Sequence, residues 1–114
     1  MFKRAILLII VIMICVPAHG AQRDISGNYE ASVMGSVMTA RIEQDGDALQ
    51  GVAHVYTGGK KNTYHFTGTI NGNRFQASHN SGHIFSGNVT SRGDLVGVLK
   101  TRGGHRISVN AARR

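Results

Sequence analysis

The sequence predicts an all-β protein: one small eight-stranded antiparallel up-and-down barrel behind an N-terminal leader. Three observations carry that expectation. Beyond residue 20, apolar and polar residues alternate instead of recurring at the helical period. Turn residues interrupt the alternation about every eight to twelve positions. A short unit with one glycine between two larger same-face residues recurs as Ile25-x-Gly27-x-Tyr29, Leu49-x-Gly51-x-Ala53, Phe66-x-Gly68-x-Ile70, Phe85-x-Gly87-x-Val89 and Leu95-x-Gly97-x-Leu99.

Lys3 and Arg4 precede an uncharged apolar run from Ala5 to Val16, and Ala18 and Gly20 are the small residues before a cut. This is the layout of a secretory signal peptide over residues 1–20, cleaved after Gly20. The apolar run is shorter than the roughly 20 residues a spanning helix needs. Lipidation at Cys15 is disfavoured by the bulky Ile14 in front of it. Residues 21–114 then form a single exported domain, periplasmic or secreted, with no membrane span.

Cys15 and Pro17, the chain's one cysteine and one proline, leave with the leader, so the domain must rely on its core. The full chain carries 13 Lys/Arg against 6 Asp/Glu; without Lys3 and Arg4 there remain 11 against 6, a net +5 with neutral histidines. A basic balance favours anionic partners or surfaces. Nucleic acid is not expected, because no aromatic-basic RNA signature or basic helix accompanies the charge.

The strands follow in order from their turns. Gly35-Ser36 pairs Val33 with Met38, Asp45-Gly46 pairs Ile42 with Leu49, and a longer loop from Thr57 to Asn62 pairs Val55 with Tyr64. Asn71-Gly72 pairs Gly68 with Phe75, and a slip to Gly72-Asn73 would keep the same faces inward. Three-residue turns at Asn80-Ser81-Gly82, Ser91-Arg92-Gly93 and Arg102-Gly103-Gly104 pair Ala77 with Phe85, Val89 with Leu95 and Leu99 with Ile107. Seven hairpins make eight strands, and closure removes both exposed edges.

In this register the interior holds Tyr29, Tyr64, Phe66, Phe75 and Phe85, together with Val33, Met38, Ile42, Leu49, Val55, Ile70, Val89, Leu95, Leu99, Ile107 and Val109. The intervening glycines and alanines either let the strands coil tightly around a filled core or leave a hollow; small eight-stranded barrels do both.

Alternate turns lie at opposite ends. One end collects Lys60, Lys61 and Arg102, and the other collects Asp45, Asp47, Arg92, Asp94 and both termini. His79 and His83 flank the Asn80 turn with inward parity, Thr101 falls opposite His83, and His105 opposite Thr101. The expected ligand-facing mouth is therefore His79, His83, Thr101, His105, Lys60, Lys61 and Arg102. Three imidazoles suit zinc or copper, so His79, His83 and His105 are the metal candidates; His105 nevertheless lies two strands from His83, roughly 9.5 Å away. No cofactor is expected. His54 and His65 pair across strands on the outer face, which also carries Ile84, Val96 and Val98 as a possible oligomer or partner patch.

Ser26-Gly27-Asn28-Tyr29, then Gly35-Ser36, then Asp45-Gly46-Asp47-Ala48-Leu49-Gln50-Gly51 resembles the opening of the avidins and, more loosely, of lipocalin-type barrels. The resemblance covers about a third of the expected mature chain and implies a closed barrel. Avidins have a tryptophan where Tyr29 stands and others around their biotin site; this chain has none, and of the polar biotin contacts Ser36 alone has a counterpart.

No serine, histidine and acid spacing marks a nucleophilic triad, and no paired carboxylates face the interior. The expected function is a non-enzymatic binding protein taking a small or anionic ligand at the basic, histidine-lined end. The alternatives are an envelope interaction, structural or inhibitor protein acting through the Ile84, Val96 and Val98 surface or by oligomerising, and a histidine-metal protein.

Overall fold

A computed structural model describes residues 23–114, which form eight strands and no helix. The expected leader falls outside the described residues. The strands are β1 Gly27–Val33, β2 Ser36–Asp45, β3 Ala48–Thr57, β4 Lys60–Asn71, β5 Arg74–Ser78, β6 Ile84–Val89, β7 Leu95–Lys100 and β8 Arg106–Arg113. Each is antiparallel to the next, and β8 returns to β1 through Tyr29 opposite Arg113 and Glu30 opposite Ala112, closing the barrel.

The three-residue turns sit where the sequence predicts them. Ala77 faces Phe85, Val89 faces Leu95 and Leu99 faces Ile107. The N–H groups of Gly82, Gly93 and Gly104 donate to the carbonyls of His79, Thr90 and Thr101 at 2.9, 3.0 and 2.9 Å.

Three of the four shorter turns differ from expectation, and the fourth takes the Gly72-Asn73 slip allowed for it. Val33 faces Ser36 rather than Met38, Ile42 faces Gly51 rather than Leu49, Val55 faces Asn62 rather than Tyr64, and Gly68 faces Ala77 rather than Phe75. Each partner is displaced by two residues, which leaves every side chain on its expected face because strand parity has period 2.

Turn chemistry explains the displacement. Gly46 (φ +65°) and Gly72 (φ +64°) take the first central position, where a type II′ turn needs positive φ, so Asp45 and Asn71 stay in their strands. Met34 (φ +50°) and Gly35 (φ +82°) are both left-handed, as a type I′ turn requires. Lys60 and Lys61 are consequently not in a loop; Gly58-Gly59 makes the whole turn and both lysines begin β4.

The packed core lies toward one end. Ile25, Tyr29, Ile70 and Leu95 are almost wholly inaccessible there, with Ile42, Leu49, Phe75, Val89 and Val109 beside them. Polar bonds seal it: Tyr29 Oη donates to Ile25 O at 2.8 Å, Ile25 N donates to Gln44 Oε1 at 2.9 Å, and Gln44 N donates to Ser26 Oγ at 3.0 Å. The Arg113 guanidinium lies 5.7 Å over the Tyr29 ring and donates to Ser26 O at 2.6 Å. Toward the other end Val33, Met38, Phe66, Phe85, Leu99 and Ile107 are only partly buried. The barrel is plugged at the end carrying Arg23 and Arg114 and open at the other.

A candidate ligand cavity with a histidine mouth

The open half encloses a cavity of about 320 Å³. Its walls come from inward positions on all eight strands, including Tyr64, Phe66, Phe75 and Phe85, and its floor includes Ile25, Tyr29 and Leu95. Short side chains make the room: Ala40, Ala53 and Ala77 stand where bulkier residues would meet across the barrel. A space of this size falls at the lower end of small-molecule pockets. Its lining is overwhelmingly apolar, and the polar groups gather at the mouth as Ser36, Tyr64, Ser78, His79 and His83.

Both readings of the interior glycines hold together. A Cβ on Gly68 would come within 2.0 Å of Gln76 O, and one on Gly51 within 2.3 Å of Arg41 O. These positions let neighbouring backbones close in and curve the sheet, while the alanines leave the hollow.

At the mouth, the Asn80-Ser81-Gly82 turn gathers the two histidines. Ser81 Oγ lies 2.7 Å from His79 Nδ1 and 2.7 Å from His83 Nδ1, and Ser81 N donates to His79 Nδ1 at 3.1 Å. Tyr64 stands edge-on to both rings, at 5.1 Å from His79 and 6.2 Å from His83 between centroids. The imidazoles are half-buried and their orientation is held from two sides.

The remaining residues of the expected mouth do not join them. His105 is exposed, and its N–H donates to Thr101 Oγ1 at 3.1 Å within the β7–β8 turn. Neither His105 nor Thr101 lines the cavity, and among the described residues no three His, Cys, Asp or Glu side chains come together as a metal site. Lys60, Lys61 and Arg102 are exposed around the mouth rather than in it, with the Arg102 side chain lying alongside Gly82.

Lys100, the last residue of β7, and Arg106, the first of β8, extend this basic surround. By contrast Asp24, Asp45, Asp47 and Asp94 belong to the plugged end. The Ser26 N–H, 3.0 Å from its carboxylate, holds Asp24 below the usual carboxylate range.

On the outer face, His54 and His65 are not a cross-strand pair. The two-residue displacement sets His54 opposite Thr63, whose Oγ1 lies 3.0 Å from His54 Nδ1, and His65 opposite Val52. Val96 and Val98 alternate along β7 with Ile84 diagonal to Val98 on β6; Val96 is exposed and the other two are half-buried.

Ser81 and Met34 are among the residues at the mouth that were not foreseen. Ser81 holds both histidines, and the spacing His79-x-Ser81-x-His83 is its trace in the sequence. Met34, 80% exposed, forms the apolar lip of the cavity. No family model, curated protein or solved structure matches the chain.

Proposed function

We propose that this protein is a non-enzymatic binding module, exported to the periplasm or beyond, that takes one small, largely apolar molecule into the barrel through the mouth formed by Met34, Tyr64, His79 and His83. The observation that carries this reading is the half-filled barrel itself: an apolar cavity of about 320 Å³ above a packed plug. A space of this volume lies at the lower end of pockets that take small molecules. Ligand binding to the folded state alone raises stability in proportion to the logarithm of ligand concentration.

The avidin resemblance supports a molecule received at one end of a closed barrel; it does not extend to biotin, because Tyr29 lies in the plug, bonded to Ile25 and Arg113. The basic surround favours a ligand with negative charge.

The test is to fill the cavity from within. Ala53 lines it, so Ala53→Phe projects a ring into the space. Small apolar probes such as n-octanol should raise the melting temperature of the wild type in a saturable manner and leave that of Ala53→Phe unmoved. A wild-type melting temperature indifferent to such probes would end the proposal.

A further inference from the structure

The hydrogen bonds around Ser81 assign a proton to each ring. A backbone N–H can only donate, so His79 Nδ1, which receives the N–H of Ser81, carries no hydrogen in this arrangement. The contact between Ser81 Oγ and His79 Nδ1 at 2.7 Å then needs the hydroxyl hydrogen between them, and Ser81 Oγ donates to His79. With its hydrogen committed, Ser81 Oγ can only accept from His83, so His83 Nδ1–H donates to it at 2.7 Å. The chain runs one way: His83 to Ser81 to His79.

The Nε2 atoms take no part in these bonds, and the chain determines what they offer. His79 must carry its hydrogen on Nε2 and is a donor there. Neutral His83 leaves Nε2 bare as an acceptor, and a proton taken up on that atom turns it into a second donor without disturbing Ser81. A proton on His79 Nδ1 would instead oppose the Ser81 N–H. The two imidazoles, alike in sequence and both at the mouth, are therefore chemically unequal.

We propose that the ligand carries one carboxyl group, read at the mouth by Nε2 of His79 and Nε2 of His83, with an apolar body in the cavity. This rests on the cavity reading above and adds the head group to it. A carboxylic acid matches the donor and acceptor of the neutral pair, and a carboxylate matches the two donors formed when His83 takes the proton. Lys60, Lys61, Lys100, Arg102 and Arg106 surround that position without a carboxylate among the turns at this end, so an anion is drawn toward it.

The experiment compares octanoate with n-octanol by calorimetry, on the wild type and on Ser81→Ala. Octanoate should bind the wild type at least about tenfold more tightly than octanol, and Ser81→Ala should bring the two within about threefold by weakening octanoate alone. Equal wild-type affinities would overturn the head-group assignment while leaving the cavity reading intact, and that comparison needs no variant to fold. Binding of neither compound would overturn both. The imidazole ¹⁵N spectrum of the free protein supplies a second readout: hydrogen on Nε2 of His79 and on Nδ1 of His83 is expected, and the reverse assignment would contradict the mechanism.

Discussion

Gly87 and Gly97 face one another across β6 and β7 at so short a range that neither can carry a side chain. A Cβ on Gly87 would lie 2.5 Å from the Gly97 Cα and 2.1 Å from Val96 O, and one on Gly97 would lie 2.0 Å from Ser86 O. Backbone on both sides leaves nothing flexible to give way. Overpacking of this kind costs about 1–3 kcal/mol and occasionally more. Gly97→Ala should therefore lower the denaturant midpoint substantially. Gly103→Ala, in a turn where the nearest atom would be His105 Cδ2 at 3.6 Å, should stay close to wild type. Equal midpoints for the two variants would mean that the pinch between β6 and β7 is not needed.

Met34 pairs an unfavourable backbone with an unfavourable exposure. Its φ of +50° is a conformation that costs most residues about 1–2 kcal/mol and that asparagine tolerates, and its apolar side chain is 80% exposed at the cavity lip. Met34→Asn should raise the melting temperature while weakening the binding of apolar probes. A stabilised variant with undiminished binding would remove Met34 from the mouth.

Burial raises the Tyr29 phenol above its ordinary value of 10.0, with the Arg113 guanidinium opposing the shift in part. The protonated phenol is thus favoured by folding. Its contribution to stability is complete below the unfolded value near 10 and is lost as pH rises through the higher folded value. Unfolding followed between pH 8 and 12 should show this alkaline loss, and Tyr29→Phe should flatten it. The same substitution should cost about 1 kcal/mol at neutral pH by removing the bond to Ile25 O. An alkaline limb unchanged in Tyr29→Phe would assign the loss to other groups.

The fold was legible in the sequence because strand parity has period 2, and Phe75, Phe85 and Leu95 show their face through their neighbours alone. Pairing partners were less so. A displacement of two residues preserves parity, so only the φ requirement at the turn separates Gly72-Asn73 from Asn71-Gly72, and a dipeptide motif does not state which residue is left-handed. His79 and His83 could be placed at the mouth because their three-residue turn ends in Gly82, which has few alternatives. Ser81's role lies in side-chain rotamers, which periodicity does not encode. Arg113 seals the plug from the far end of the chain, at a separation from Ser26 and Tyr29 that local pattern cannot bridge. His105 falls opposite Thr101 as its spacing predicts but stays outside the cavity, because inward parity at a turn does not ensure that a side chain reaches the interior.

The proposed entry of ligand past Met34 has a direct readout. Met34 and Met38, the methionines among the described residues, both line the cavity, so ¹³C-methyl labelling of methionine places reporters at its lip and in its wall. Titration with octanoate or n-octanol should shift both methyl resonances along one saturable one-to-one curve, with intermolecular contacts from ligand protons to both methyls. A ligand that binds while both methyls remain in place would sit elsewhere on the protein and would rule out entry past Met34.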